Sequence, residues 1–176
     1  MSVQTFKDLG LKNWIIALCE KINYKSPTDI QKTVIPAILK GKNVIANAET
    51  GSGKTAAFAF PILAKLSEDP YGIFALILTP NRELAYQINE QLSLFGEMIN
   101  LKSICVTGGQ DLIQQRISFD RLPHIIVGTP GRIFEQISTS DVLQKYLANL
   151  KFLVFDEADR LFEPTQKYFV DKIAAY

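Results

Sequence analysis

The sequence predicts an α/β domain built on a doubly wound, mostly parallel sheet flanked by helices, and three observations carry that expectation. Short apolar runs at 44–46, 73–78, 103–106, 125–127 and 152–155 are β-branched or aromatic and bounded by turn residues, as strands buried on both faces are. Helical patterns separate them, and strands that alternate with helices pair in parallel through crossovers. The third observation is local: an apolar run, a Gly-rich turn and an apolar helix follow one another between Asn43 and Leu66.

Taken in order, residues 12–22 and 29–40 read as two helices ahead of the first strand, the second closed by Gly41. Residues 54–66, rich in Ala, Phe, Leu and Ile, read as a buried helix. Pro36 and Pro61 interrupt helical stretches, so a kink or a helix start is expected near each. Residues 67–72 form the best surface turn. From Arg82 to about Ile99, apolar residues Ala85, Ile88, Leu92, Phe95 and Ile99 recur at spacings of three and four, a helix with one buried stripe. Thr129-Pro130 offers an N-cap and a first-turn proline to a helix carrying Ile133, Phe134 and Ile137.

With 176 residues and 47% hydrophobic content the chain can bury one good core. Nineteen basic against 18 acidic residues leave a formal charge of +1, so no global field draws in nucleic acid and any such contact must be local. Cys19 and Cys105 lack metal-ligand spacing and His124 is the single histidine, which excludes a zinc set and suits two buried thiols in a reducing compartment. The start, Met1 to Thr5, lacks the features of a secretory signal, and no apolar run approaches membrane-spanning length. An intracellular protein without a membrane partner is expected.

The chemistry concentrates in two places. Ala48-Glu49-Thr50-Gly51-Ser52-Gly53-Lys54-Thr55 places clustered backbone N–H groups and a helix N-terminus where a polyphosphate can be held. Lys54 would reach the β- and γ-phosphates, and Thr55 would offer a hydroxyl to Mg²⁺. Ala48 stands where the strict G-x-x-x-x-G-K-[ST] pattern has its first glycine, but the glycines nearest the phosphates are present. Far downstream, Asp156-Glu157-Ala158-Asp159 ends an apolar run. Triphosphate hydrolysis needs a carboxylate near Mg²⁺ and another to orient or deprotonate water. Asp156 suits the first role, partly through metal-bound water, and Glu157 the second. By itself the acidic group would read as a helix start with favourable dipole charges; beside the Gly-rich turn the metal reading prevails. In such sheets ligands bind beyond the carboxyl ends of the strands.

Residues 23–31, Asn-Tyr-Lys-Ser-Pro-Thr-Asp-Ile-Gln, resemble the Q motif of the DEAD-box ATP-dependent RNA helicases. Thr79-Pro80-Asn81-Arg82-Glu83-Leu84-Ala85 is similar to motif Ia, Gly108-Gly109 to the GG motif, Thr129-Pro130-Gly131-Arg132 to motif Ib, and Asp156 to Asp159 to motif II. The motifs follow the family's order across nearly the whole chain, so residues 1–176 resemble one RecA-like P-loop NTPase domain with a Q-motif segment at about 4–32. Asn81 departs from the family's usual Thr and keeps its hydrogen-bonding capacity.

The resemblance implies ATP and Mg²⁺ as ligands. It implies Gln31 on the adenine edge, where an amide can present a donor and an acceptor and exclude guanine, with Phe6 the isolated upstream aromatic. One of Phe6 and Tyr24 is expected to touch the base. It further implies that Thr79, Pro80, Arg82, Gly108, Gly109, Thr129, Pro130, Gly131 and Arg132 grip one RNA strand by its backbone, which carries little sequence information. Asp159 and Arg160 read as couplers to other segments.

The family uses a second RecA-like domain, whose arginines reach the γ-phosphate, and a Ser-Ala-Thr motif III; neither is found before Tyr176. The expectation is a longer native polypeptide, or a partner that fills the gap, because the strand leading to motif III lies between the strands of the Gly-rich turn and of motif II. Arginine fingers supply ~10³–10⁵ in rate, so the chain alone should bind nucleotide, hardly hydrolyse it, and not unwind RNA. Residues 66–74 and the Ala-Tyr-Gln after motif Ia resemble nucleolar helicases of small ribosomal subunit assembly, implying rRNA processing, ribosome-assembly partners and a nuclear or nucleolar location. The alternative is a noncatalytic, nucleotide-gated RNA-binding or scaffold module; intact Lys54, Asp156 and Glu157 weigh against it. A DNA helicase or other P-loop ATPase is disfavoured by the Gln31 region and the Thr-Pro-Gly-Arg set.

Overall fold

The protein is described by a computed structural model covering residues 4–49, 51–109 and 112–176. It divides into two compact units, one comprising Met1–Asp69 with Leu94–Ile99 and the other Pro70–Ser93 with Asn100–Tyr176.

The first unit is helical. After a 3₁₀ turn at Lys7–Leu9 come α1 (Asn13–Lys21), α2 (Asp29–Leu39) and α3 (Lys54–Leu66). Gly41, at φ +74, sits just past α2, where a left-handed residue ends a helix without Cβ strain. Both internal prolines are carried inside continuous helices, so of the expected kink or helix start, the helix start occurs at neither. Each removes one intrahelical bond, to Lys32 and Ala57 respectively, and the packing of α2 on α3 holds the helices across the gap. Phe60, fully buried on α3, makes an edge contact with Phe6 at 6.1 Å and another with Phe95 at 5.0 Å. Truncating such a ring to alanine costs about 3–5 kcal/mol.

The second unit holds a four-stranded parallel sheet in the order β2-β3-β1-β4, with β1 at Ala75–Leu78, β2 at Ser103–Val106, β3 at Ile125–Gly128 and β4 at Phe152–Phe155. The crossovers carry α4 (Arg82–Phe95), α5 (Leu112–Asp120), α6 (Pro130–Ser138) and α7 (Asp141–Leu147); α8 (Ala158–Leu161) and α9 (Pro164–Ala174) follow the last strand. Leu76, Leu78 and Ile126 alternate onto one face, where they join Ile133, Ile137, Leu143 and Ile173 in a single apolar cluster. The inner strands β1 and β3 are buried throughout, as the unbroken apolar runs require. All of β4 and most of β2 are only half-buried, a correction to the expectation of strands covered on both faces, because these two are the edges.

A further correction concerns residues 44–46. They are in neither a strand nor a helix, and Val44 and Ile45 are 37% and 104% exposed. An apolar run signals a capacity to pair, whereas a strand also needs a ladder that satisfies its N–H and C=O groups. Among the described residues the four strands pair only with one another.

Candidate nucleotide and nucleic-acid sites

In the first unit the Gly-rich turn gets its shape from two left-handed glycines, Gly51 at φ +82 and Gly53 at φ +89. Gly53 is also the N-cap of α3, so Lys54 and Thr55 stand in the first turn with its unpaired N–H groups. Ser52 N donates to the Glu49 carbonyl at 3.2 Å and closes the turn. Lys54 Nζ donates to the Ala48 carbonyl at 2.8 Å, folding the ammonium back across the loop. Thr50 lies outside the described residues.

Gln31 is built into this loop. Thr28 and Gln31 form a reciprocal capping box at the start of α2, with Thr28 N donating to Gln31 Oε1 at 3.0 Å. Gln31 Nε2 donates to the Gly53 carbonyl at 3.2 Å, and a Cβ on Gly53 would collide with that amide nitrogen. A side chain that would be an exposed helical glutamine on sequence grounds is therefore 2% exposed. Of the two aromatics, Phe6 is 4% exposed and stacked edge-on against Phe60, while Tyr24 is 37% exposed over Phe60 and Phe95.

In the second unit, strand register sets the site. Leu78 is paired with both Gly128 and Phe155, and Gly128 with Val106, so the strands end on one line. The residues just beyond, Thr107, Thr129, Thr79 and Asp156, form the next row across the carboxyl rim. Backbone bonds continue the sheet into that row: Thr129 N, Thr79 N and Asp156 N donate to the carbonyls of Val106, Gly128 and Leu78 at 3.2, 3.0 and 3.0 Å.

The rim loops are held from within. Thr79 Oγ1 donates to the Asn81 carbonyl at 3.0 Å, and Asn81 Oδ1 accepts from Leu84 N at 2.9 Å. Asn81 thus caps α4, the hydrogen-bonding role its residue type allows. Gln166 Nε2 donates to the Pro80 carbonyl at 3.2 Å. The Arg82 guanidinium lies against Gly108 and Gly109, where added Cβ atoms would come within 2.9 and 2.5 Å of its Nη2 and Nη1. A larger residue at either position would make the guanidinium shift. Thr129 occupies the N-cap of α6 and Pro130 its first turn, but the Thr129 hydroxyl makes no cap bond; the expected cap is a backbone one. A Cβ on Gly131 would meet the Phe169 ring at ordinary contact distance, 3.7 Å. Arg132 Nε and Nη1 donate to Gln115 Oε1 at 2.7 Å and Glu135 Oε2 at 2.9 Å. Gln115 was not legible as a site residue, because nothing in its local spacing distinguishes it from Gln114.

Asp156 Oδ1 accepts from Glu157 N at 3.2 Å. Glu157 is left-handed at φ 52 and ψ 53, a conformation that costs a non-glycine residue about 1–3 kcal/mol. Its Oε2 is buried without a hydrogen-bond partner, the Arg160 Nε at 3.7 Å being an ion pair too long for one. Ser52 Oγ in the Gly-rich turn is likewise buried and unbonded. Asp159 and Arg160 are exposed on α8. In the first unit, left-handed glycines and an orphaned hydroxyl beside a lysine fit a polyphosphate; in the second, a strained, under-bonded carboxylate next to an aspartate at a strand end fits a hydrated divalent cation.

A parallel sheet with its chemistry on the carboxyl rim, together with a glycine turn opening a helix, defines the P-loop nucleotide-binding class. Residues 28–176 match the DEAD/DEAH box helicase family, and the chain belongs to that family, as a RecA-like domain. It is 53% identical over 161 residues to a probable ATP-dependent RNA helicase, ddx49, of Dictyostelium discoideum, covering 92% of this chain and 31% of that protein. Over 170 residues it is 47% identical to the ATP-dependent rRNA helicase rrp3 of Aspergillus niger, covering 97% of this chain and 36% of the relative. The chain thus spans about a third of the length of the curated relatives it matches. A crystal structure of a DEAD box protein from Methanococcus jannaschii superposes with a TM-score of 0.84 at 37% identity, over 96% of this chain and 46% of that one. The Prp28 helicase of Chaetomium thermophilum bound to ADP gives 0.84 at 32% identity, over 97% and 42%. Among the described residues, no helix is long and apolar enough to cross a membrane.

Proposed function

We propose that this chain is the ATP-binding lobe of an ATP-dependent RNA helicase that remodels RNA during ribosome biogenesis. The observation that carries the nucleotide reading is Gln31 joined to Gly53: an amide able to recognise adenine is wired to the loop that cradles phosphate. Lys54 would turn from the Ala48 carbonyl to the phosphates, and Thr55 and Asp156 are the residues that would hold the cation. When bound, Mg²⁺ offsets the triphosphate charge and lowers the barrier to phosphoryl transfer. Glu157 orients or deprotonates the attacking water, and its under-bonded Oε2 supports that role. Tyr24, the more accessible aromatic, packs near the base, with Phe6 bracing it through Phe60. Thr79, Arg82, Gly108, Gly109, Thr129, Gly131 and Arg132 hold one RNA strand by phosphates and 2′-hydroxyls.

The rRNA assignment rests on relatives named rRNA helicases, and it implies ribosome-assembly partners and a nucleolar location. A second RecA-like domain supplies the catalytic arginines, with Asp159 and Arg160 coupling to it, and a further strand pairs with the edge of β4 left open among the described residues. The experiment is calorimetric titration with Mg-ADP and Mg-GDP on wild type, Gln31→Ala and Lys54→Ala, followed by RNA-stimulated ATP hydrolysis. ADP binding that exceeds GDP binding and weakens in both variants is expected; equal affinity for the two nucleotides would refute the adenine assignment.

A further inference from the structure

Buried polar side chains need partners, and the amide of Gln115, 5% exposed, finds them on two different rim segments. Its Nε2 donates to the Thr107 carbonyl at 2.9 Å, and its Oε1 accepts from Arg132 Nε at 2.7 Å. Thr107 leads from β2 into Gly108-Gly109 and is itself pinned, its hydroxyl donating to the Tyr86 hydroxyl at 3.2 Å. Arg132 stands in the first turn of α6, its side chain 11% exposed, and Nη1 reaches Glu135 Oε2 at 2.9 Å. A guanidinium is planar, so fixing Nε and Nη1 fixes the direction of every remaining N–H. The Glu135 pair contributes little to that orientation, because its side chain is 51% exposed and exposed pairs hold geometry weakly.

We propose that Gln115 is a positioning residue of the RNA site: it orients Arg132 and locks α6 to the Gly108-Gly109 loop, so that two backbone-gripping segments are preorganised as one surface. This rests on the RNA reading above. Without the amide, Arg132 keeps Glu135 as a competing anion and turns from the phosphate, while the glycine loop loses one of its anchors. Gln115 touches no RNA in this account; it acts through Arg132 and Thr107.

The test is fluorescence anisotropy of a short labelled single-stranded oligouridylate over a salt series, using the intact protein with wild-type sequence, Gln115→Met, Arg132→Met and the double variant. Gln115→Met is expected to raise Kd about tenfold, the scale of one charge-assisted hydrogen bond. Its log–log salt dependence should become shallower by about 0.7, one phosphate contact on a single strand. In the Arg132→Met background the same substitution should add much less, which a merely structural role would not produce. Thermal melts establish folding; if Gln115→Met unfolds, Gln115→Asn, too short to span both partners, takes its place in the cycle. Additive effects, or an unchanged Kd and salt slope, overturn the inference. Failure of the wild-type protein to bind the RNA at any salt overturns the RNA reading itself.

Discussion

Gln31 and Gly53 are joined by a hydrogen bond of 3.2 Å from the Gln31 amide to the glycine carbonyl, and the same amide caps its own helix through Thr28. An amide has two donors and two acceptor lone pairs, so each end retains capacity for an adenine edge while keeping its internal bond. Under the proposed adenine-binding role, nucleotide recognition and loop shape are linked through one side chain.

Replacing Gln31 tests that linkage. Gln31→Ala removes one half of the capping box, at up to about 1 kcal/mol, equivalent to at most about 2–4 °C in Tm for a chain of this size, and abolishes preference for ADP over GDP. Gln31→Glu keeps the acceptor for Thr28 but sets a carboxylate oxygen against the Gly53 carbonyl. It should melt close to wild type or below it and bind ADP more weakly than the alanine variant. Stronger ADP binding by Gln31→Glu than by Gln31→Ala would contradict this account.

Gly53→Ala should lower both stability and nucleotide affinity. Its φ of +89 is costly for any residue with a Cβ, and that Cβ would displace the Gln31 amide. Gly41→Ala is the control, because it shares the positive φ, +74, with nothing within 4 Å of the added atom. Both variants should melt lower than wild type, but only Gly53→Ala should lose ADP affinity in a calorimetric titration.

Glu157 combines its proposed catalytic role with a left-handed backbone, and the two separate by mutation. Glu157→Gly relieves the left-handed penalty and is expected to gain about 1 kcal/mol after the entropic cost of glycine. Glu157→Gln keeps the strain and should leave Tm nearly unchanged. Hydrolysis in the intact, RNA-stimulated protein should fall at least 100-fold in both, the scale of general base catalysis. A Glu157→Gly variant that melts below Glu157→Gln would show that the conformation is not strained.

Most of this architecture was legible in the sequence because periodicity reports on burial. Ser103–Val106 and Phe152–Phe155 coincide with the expected strands, and 54–66 with the expected helix. What failed was knowledge of neighbours: 44–46 has the composition of a strand and no ladder, and Pro36 and Pro61 sit inside helices that packing sustains. The same division runs through the sites. Gly51, Gly53, Lys54 and Asp156 stand in short motifs whose spacing encodes their chemistry. Gln115 meets Arg132 across 17 positions, and only the fold brings them together.

His124 provides a pH dependence whose direction follows from its surroundings. Burial, aided by the Lys102 charge, holds its imidazole below the ordinary histidine range, and Nδ1 accepts a hydrogen bond from Lys102 N at 3.1 Å. Protonation removes that acceptor, so the unfolded chain binds the proton at higher pH than the folded one. Stability must then rise with pH across the interval between the folded and unfolded values. The contribution is complete above the unfolded pKa and is lost as pH falls through the folded one. Urea midpoints measured from pH 7.5 down to 5 should decline more steeply in wild type than in His124→Asn, whose Oδ1 stands in the place of Nδ1 and can accept the same bond without titrating. Parallel curves for the two proteins would remove His124 as the source of acid sensitivity.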